Sequence, residues 1–352
     1  MKLFRIIRYL LFPVAIAWWV FSHIKNFCYN YSIIKSKLFS FPVIVVGNLQ
    51  VGGTGKTPLV KYLAQLLNEQ TSAIVSRGYG RNTKGYKIVQ ATDKASDCGD
   101  EPLEYATTLS AVTVAVCEDR VFALEKLNQE NKINLAICDD AFQHRKLKPG
   151  MGIVCTRYSS LFTDDFILPI GNLREPASGA KRADILVVTK CPATIALSDF
   201  EIVSKKINPL PHQHLFFSQE VFLPLYTPYS HTETSISPGT ACLLFCGIAH
   251  PEYLCNYLKS LGVTVTLMAY RDHHPYKTAD LLAIQNKFDT IASAQKMIIT
   301  TMKDYMRIKD MPIPFQREAF FIQPVGMEII RNEKNKFEKL IADYVRSNSK
   351  NS

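Results

Sequence analysis

The stretch GNLQVGGTGKTP, residues 47–58, contains the side chains best suited to chemistry in this chain. It follows an apolar run at residues 43–46 and precedes a helix-like segment at residues 59–67. A strand, a glycine-rich turn and a Lys-Thr pair at a helix start form the pattern of a phosphate-binding loop. In such a loop Lys56 reaches the β- and γ-phosphates of a nucleotide, and the Thr57 hydroxyl binds Mg²⁺. The expected ligands are therefore a nucleoside triphosphate and its metal.

Glycines surround Thr54 in this loop and let backbone N–H groups approach phosphate oxygens without a Cβ clash. The expected nucleotide-contacting residues are Gly52, Gly53, Thr54, Gly55, Lys56 and Thr57. One position departs from the standard pattern, because Gln50 stands where a glycine is usual. The alternative is a glycine-rich turn with an incidental lysine, which the flanking strand and helix patterns disfavour.

Two acids, Asp139 and Asp140, end a second apolar run that starts at residue 134. A buried strand of a parallel sheet delivers its last residues to the carboxyl edge, beside the phosphate loop. We therefore expect both acids to hold Mg²⁺, directly or through water. The alternative is that they cap the following helix. The segment continues as DDAFQH, which places the imidazole of His144 about one turn from the acids.

Four further segments are SRGYGR at residues 76–81, GDEP at 99–102, GNLREP at 171–176 and DHHPY at 272–276. With GGTGKTP and DDAFQH, in this order, they resemble the tetraacyldisaccharide 4'-kinase family of membrane-associated enzymes, which phosphorylate the lipid A precursor. The resemblance extends to about Arg307. Ala141 stands where the family usually has glycine, and Met302 where it usually has glutamate in a Thr-x-Lys-Asp motif that is completed here by Thr301, Lys303 and Asp304.

The resemblance implies transfer of the ATP γ-phosphoryl group to the 4'-hydroxyl of a tetraacylated glucosamine disaccharide 1-phosphate. It also implies that Asp100 accepts the hydroxyl proton and that His273 orients Asp100, while Lys56 and Mg²⁺ absorb negative charge. Glu101 joins Thr57, Asp139 and Asp140 as a candidate metal ligand. Taken alone, Asp100 is also typical of a helix start, and His273 of an ordinary loop.

Other charged side chains in these motifs are candidates for binding the substrate phosphates and sugar. They are Arg77, Arg81, His144, Arg174 and Glu175. The planar guanidinium group suits phosphate oxygens, and Glu175 could orient Arg174 or contact the metal or sugar. The alternative for each is a solvated or salt-bridged surface charge.

The composition and the N-terminus indicate an anionic partner and a membrane. The chain of 352 residues has a formal net charge of +10, and its nine cysteines include no CxxC pair. Between Arg8 and Lys25 lie sixteen residues without Asp, Glu, Lys or Arg, interrupted by Pro13 and containing Trp18 and Trp19. We expect a retained helix that lies on or dips into the cytoplasmic face of the inner membrane and contacts phospholipid, with Lys2, Arg5 and Arg8 on anionic headgroups. A buried core helix is the alternative. No cleavage site follows, so a signal peptide is disfavoured.

Alternating apolar runs and helical stretches predict an α/β fold with a P-loop NTPase-like parallel sheet flanked by helices, plus a second, smaller α/β domain. Strands are expected at residues 43–46, 73–75, 112–116, 135–138, 152–155 and 185–189, and in the smaller domain at 241–246, 263–268 and 296–301. The expected segments are 1–40 (membrane-associated helix), 41–210 (nucleotide-binding and catalytic domain), 211–238 (linker), 239–330 (smaller domain) and 331–352 (C-terminal helix and tail). In the linker, residues 215–217 and 221–225 are expected to pair as a β-hairpin.

Two other functional classes share part of this pattern. A membrane-recruited P-loop ATPase or GTPase switch would have the loop, the acid pair and the N-terminal helix, but it has no use for Asp100 and His273. A nucleic-acid-dependent ATPase would interleave basic and stacking aromatic residues, whereas the aromatics here concentrate in the N-terminal segment and the linker. We therefore expect no nucleic acid and no obligatory protein partner.

Overall fold

The computed structural model describes residues 11–68, 70–130, 133–230 and 232–349. Its strands form two sheets. The larger sheet contains β1 Val43–Asn48, β2 Ser72–Ser76, β3 Lys87–Val89, β4 Thr113–Val116, β5 Leu135–Asp139, β6 Met151–Arg157, β7 Ile185–Thr189, β8 His214–Phe222 and β15 Val325–Ile329. The smaller sheet contains β9 Leu225–Tyr226, β10 Glu233–Thr234, β11 Ala241–Cys246, β12 Thr264–Ala269, β13 Lys296–Thr301 and β14 Phe320–Gln323.

The α-helices connect and cover these strands. They are α1 Phe12–Asn30, α2 Lys56–Leu66, α3 Ala95–Cys98, α4 Asp100–Thr108, α5 Arg120–Gln129, α6 Leu197–Ile207, α7 Pro251–Ser260, α8 Thr278–Asp289, α9 Met302–Ile308 and α10 Lys334–Asn348. We call residues 225–323, which carry the smaller sheet, the smaller unit.

The larger sheet has the order β15-β8-β7-β6-β1-β5-β2-β4-β3. Its inner strands, from β8 to β4, are parallel, and the edge strands β15 and β3 are antiparallel. Because helices cover both faces, strands such as β1 are buried along their whole length, which explains their unbroken apolar sequence. Strands β1 and β5 are parallel neighbours, so their carboxyl ends meet at one edge of the sheet, as the sequence predicts.

Two apolar cores lie on the opposite faces of this sheet. One face packs against α2, α4 and the C-terminal helix α10, through Leu63, Leu103 and Ile341 among others. The other packs against α5 and α6. Met302 and Met306 of α9 belong to the first core, so a helix of the smaller unit is anchored on the larger one.

The smaller sheet has the order β10-β9-β14-β13-β11-β12, with parallel pairing from β14 to β12. It has cores on both faces. Helix α9 begins immediately after β13, with Thr301 as its N-cap; the Thr301 hydroxyl accepts a hydrogen bond from the Asp304 amide at 3.2 Å. The Thr-x-Lys-Asp motif is thus a strand-to-helix turn at the carboxyl edge of this sheet.

The expected β-hairpin in the linker is a wrong prediction. Residues 214–222 form the single strand β8, which pairs in parallel with β7 and antiparallel with β15. The polar residues Ser218, Gln219 and Glu220 resemble a turn in sequence, but they continue the ladder opposite Ile329, Glu328 and Met327. The expected smaller domain also included β15, which in fact closes the edge of the larger sheet.

The N-terminal helix α1 has Pro13 in its first turn, where a proline is tolerated because its missing N–H would be unpaired anyway. Most of its surface is exposed, although Ala15 and Ser22 are buried. No helix in the described part of the chain is long and apolar enough to cross a membrane. The predicted headgroup contacts at Lys2, Arg5 and Arg8 lie outside the described residues.

Candidate active site

The glycine loop, residues 49–55, joins the end of β1 to the start of α2. Gly52 and Gly55 have φ angles of 98° and 76°, in the left-handed region that favours glycine. A Cβ on Gly55 would lie 3.2 Å from Thr189 Cβ, whereas one on Gly52 or Gly53 would meet no described atom within 4 Å. The loop is therefore close-packed on the sheet side and open above Gly52 and Gly53, where a ligand can approach the backbone.

Buried polar contacts fix the shape of the loop. The Asn48 amide donates to the Thr54 hydroxyl at 2.9 Å, and the Thr189 hydroxyl donates to the Thr54 carbonyl at 2.8 Å. Gln50, the departure from the usual glycine, is buried and donates to Asp165 Oδ2 at 3.0 Å. Gln50 therefore ties the loop to the segment after β6, and the open side of the loop is unaffected.

The acid Asp140 lies between two cations at the open side of the loop. Its carboxylate is 3.3 Å from Lys56 Nζ and accepts from Arg174 Nη1 with both oxygens, at 2.9 and 2.8 Å. Burial alone would raise the pKa of Asp140, but Lys56 and Arg174 hold this pKa at about 2. Asp140 is therefore ionised and orients Lys56.

The neighbouring Asp139 is fully buried. Tyr105 donates to its Oδ2 at 3.2 Å, and its Oδ1 has no hydrogen-bond partner in the described structure. Burial, Glu101 and Asp140 raise its pKa. A buried carboxylate oxygen that has no hydrogen-bond partner and lies beside other acids is suited to bind a hard cation such as Mg²⁺.

Glu101, in the first turn of α4, connects the loop to the smaller unit. Its Oε1 accepts from the Thr57 hydroxyl at 3.0 Å and from Lys303 Nζ of α9. Although burial alone would raise it, Lys303 holds the pKa of Glu101 below its usual range. The predicted metal ligands Thr57 and Glu101 are thus in contact.

Asp100 contacts the second predicted catalytic residue. His273 Nδ1 lies 3.2 Å from Asp100 Oδ2, and the Glu101 amide donates to Asp100 Oδ1 at 3.0 Å. Burial alone would raise the pKa of Asp100, but His273, Lys303 and Arg307 lower it strongly. The hydrogen bond to Asp100 in turn raises the pKa of His273. Asp100 lies on α4, which packs against the larger sheet, and His273 lies in the smaller unit. The pair is therefore where the two units meet.

Arg307 is a member of this site that the sequence did not predict. Its Nε donates to Asp100 Oδ2 at 3.1 Å and its Nη2 donates to the same oxygen, while its Nη1 donates to Asp304 Oδ1 at 2.9 Å. Asp304 is fully buried and also accepts from Tyr276 at 3.1 Å. Arg307 lies one turn after Lys303 on α9, and that spacing was the signal available in the sequence.

A cleft of about 460 Å³ opens from Asp140 toward α1. Its lining includes Trp18, Phe21, Arg77, Arg120, His144 and Arg174. Trp18 Nε1 donates to the Arg174 carbonyl at 3.0 Å, so the N-terminal helix forms one wall. Burial and the nearby Arg120 lower the pKa of His144 to about 4, which keeps the ring neutral.

Two predicted substrate residues are engaged in protein contacts. Glu175 lines the cleft but is buried, and it accepts from Arg182 with both oxygens at 2.9 Å and from Gln143 at 2.9 Å. Arg81 does not line this cleft; its side chain is 2% exposed and paired with Glu118 at 2.6 Å.

The donor set fits a Mg²⁺ ion, with the oxygens of Thr57, Glu101, Asp139 and Asp140 around the loop. Among residues 11–68, 70–130, 133–230 and 232–349, however, no three acidic, His or Cys side chains already converge on one point. The ammonium groups of Lys56 and Lys303 contact Asp140 and Glu101.

The comparisons with known proteins cover nearly the whole chain. The sequence model of the family LpxK, tetraacyldisaccharide-1-P 4'-kinase, matches residues 7–346. The tetraacyldisaccharide 4'-kinase of Bacteroides thetaiotaomicron is 37% identical over 97% of this chain and 94% of its own length. That of Flavobacterium johnsoniae is 38% identical, with 98% and 99% covered.

A solved structure agrees with the sequence matches. The crystal structure of LpxK from Aquifex aeolicus in complex with ATP has a TM-score of 0.76 and 29% identity, and the match covers 96% of this chain and 99% of that one. With the glycine loop, the acid pair and the Asp100–His273 contact in place, the fold and the motifs agree with the matches. The chain belongs to the tetraacyldisaccharide-1-P 4'-kinase family.

Proposed function

We propose that this protein transfers the γ-phosphoryl group of ATP to the 4'-hydroxyl of an acylated glucosamine disaccharide 1-phosphate. The observation that carries the proposal is the Asp100–His273 pair at 3.2 Å, in the same site as Lys56 and the glycine loop. A phosphate loop alone suits a nucleotide switch equally well. A carboxylate oriented by an imidazole beside that loop is what transfer to an alcohol requires.

The glycine loop acts as a P-loop in this proposal. Its open backbone at Gly52 and Gly53 would bind phosphate oxygens, and Lys56, held by Asp140, would stabilise the charge on the transferred group. Thr57, Glu101, Asp139 and Asp140 would hold Mg²⁺, which neutralises phosphate charge when bound. The ATP complex of the Aquifex aeolicus relative supports ATP as the nucleotide.

The oxygen of the sugar hydroxyl would bond to the γ-phosphorus as the bond from that phosphorus to the leaving ADP breaks. Asp100 would accept the proton that the hydroxyl loses. Its low pKa makes it a weak base that is ionised throughout the physiological range. A weak base suffices in a loose transition state, because the attacking oxygen loses its proton late. His273 would hold the carboxylate in one rotamer and balance its charge.

The cleft toward α1 is the proposed acceptor site. Arg77 is exposed in it, Arg174 and Arg120 add positive charge, and Trp18 and Phe21 supply an apolar wall. Such a mixture suits a phosphorylated sugar that carries acyl chains. Glu175 and Arg182 would keep the wall rigid, and Arg81 would support the neighbouring loop through Glu118.

We also infer that α1 binds phospholipid on the cytoplasmic side of the inner membrane. Apolar residues are exposed over most of this helix, and the exposure of so large an apolar surface to water is unfavourable. They are Phe12, Val14, Ile16, Trp18, Trp19, Val20, Phe21, Ile24 and Phe27. Because Trp18 also lines the cleft, a lipid acceptor could pass from the membrane to the site without leaving an apolar surface.

The test is incubation of the purified protein with γ-labelled ATP and a panel of acceptors. The panel contains an acylated disaccharide 1-phosphate, the same lipid already phosphorylated at the 4'-position, RNA and no acceptor. We expect label on the unmodified lipid alone. Release of labelled phosphate at the same rate in every arm, with no labelled lipid, would favour the switch.

A further inference from the structure

Lys303 is part of the site but has no role in the phosphoryl transfer described above. It lies in the first turn of α9, within the Thr-x-Lys-Asp motif, and it donates to Glu101 Oε1. The same carboxylate oxygen accepts from the Thr57 hydroxyl at 3.0 Å. One ammonium group of the smaller unit is therefore bound at the oxygen that links two of the proposed Mg²⁺ ligands.

A lysine and a divalent cation compete for such an oxygen. Glu101 needs a positive charge next to it when no metal is bound, because it lies beside Asp100 and near Asp139. Lys303 supplies such a charge through its contact with Glu101 Oε1.

We propose that Lys303 is a positioning residue that takes the place of Mg²⁺ at Glu101 and leaves this oxygen when Mg²⁺·ATP binds. The proposal rests on the proposed function, because that function defines the metal ligands. Its consequence is that metal binding removes one of the contacts between α9 and α4. The enzyme would thereby couple occupation of the nucleotide site to one of the contacts between the two units, that of Lys303 with Glu101.

Arg307 limits how far this release can go. It lies one turn beyond Lys303 and remains bound to Asp100 and Asp304. Met302 and Met306 also stay packed in the core of the larger sheet. The Lys303 side chain can therefore leave Glu101 while Asp100 and His273 remain together, and the first turn of α9 loses one of the contacts that stabilise it.

The test measures Mg²⁺ binding to the ATP-loaded protein by calorimetry, in the wild type and in Lys303→Met. We expect the variant to need about three- to tenfold less Mg²⁺ for half-saturation, since a competing cation has been removed. Lys303→Arg keeps the charge and should remain near the wild type. Lys309→Met is the matched control, because this lysine of the helix end contacts the Ala91 carbonyl instead of an acid of the site.

A second measurement uses the wild type alone, in case Lys303→Met does not fold. Amide hydrogen exchange in residues 302–306 should accelerate with Mg²⁺·ATP but not with ATP and a chelator. Unchanged or weaker Mg²⁺ binding in Lys303→Met, or no Mg²⁺-dependent change in exchange, would overturn the proposal and leave the kinase function intact. A wild type that binds no ATP at all would instead contradict the proposed function.

Discussion

The glycine loop and the Asp100 centre lie in one site, but they are assembled in different ways. The loop is built within the larger unit: β1, seven intervening residues and α2 form it, Asn48 and Thr54 are close in sequence, and its more distant partners Thr189 and Asp165 belong to the same unit. Asp100 instead depends on contacts with Arg307, 207 residues away, and with His273 of the smaller unit. The loop is complete once the larger unit folds, whereas the base requires both units to be docked. This difference predicts which substitutions affect chemistry alone and which also affect the fold.

The largest expected effect is on the local side of the comparison. Lys56→Ala should lower kcat about a hundredfold to a thousandfold, because it removes charge stabilisation that peaks in the transition state. Its free energy of unfolding should remain near that of the wild type. Steady-state kinetics and urea denaturation measure the two quantities. Lys61→Ala is the control on the same helix, since Lys61 pairs with Glu104 at 3.1 Å; equal activity losses in both variants would contradict the assignment.

On the docked side, Arg307→Met should lower the free energy of unfolding by about 3 kcal/mol, because it leaves the buried acids Asp304 and Asp100 without their shared cation. Activity should fall with it. Arg317→Met, in which an exposed arginine beside Tyr229 is replaced, should change stability little. A similar loss in the two variants, measured by urea denaturation, would mean that Arg307 does not hold the units together.

A third prediction concerns the N-terminal helix α1, which we propose contacts the membrane. Replacing the exposed pair Ile16 and Val20 by Asp should release the protein from anionic vesicles and raise KM for a long-chain acceptor about tenfold. Turnover of a water-soluble acceptor should change little. Leu282→Asp, at a similarly exposed apolar position on α8, is the control. Retained vesicle binding would exclude α1 as the membrane contact.

The smallest expected effect is a change in the pKa of a single side chain, His273. NMR should find the pKa of the His273 imidazole above its ordinary value of about 6.5, because Asp100 stabilises the charged ring. The ring is then protonated below its raised pKa and loses its charge as the pH rises through that value. Asp100→Asn should lower the pKa. A pKa that is the same in both proteins would show that the pair is not formed in solution.

The sequence predicted the local half of this comparison better than the assembled half. Strands that are buried on both faces are unbroken apolar runs in the sequence, so β1, β5 and their neighbours could be predicted from it. Strand β8 was misread because its polar residues 218–220 look like a turn, and only its partner β15, about a hundred residues later, makes them a strand. Arg307 was missed for the same reason. Helical spacing places Arg307 beside Lys303 and Asp304, but nothing in the sequence connects it with Asp100, 207 residues away.

The central claim is that Asp100 and His273 act as one unit in proton removal, and a double-mutant cycle tests it most directly. The cycle measures kcat/KM and ATP affinity for Asp100→Ala, His273→Ala and the double variant. We expect Asp100→Ala to lose about a hundredfold, His273→Ala less, and the double variant little more than Asp100→Ala, with ATP affinity unchanged throughout. Fully additive losses, or a large drop in ATP affinity from Asp100→Ala, would contradict the account.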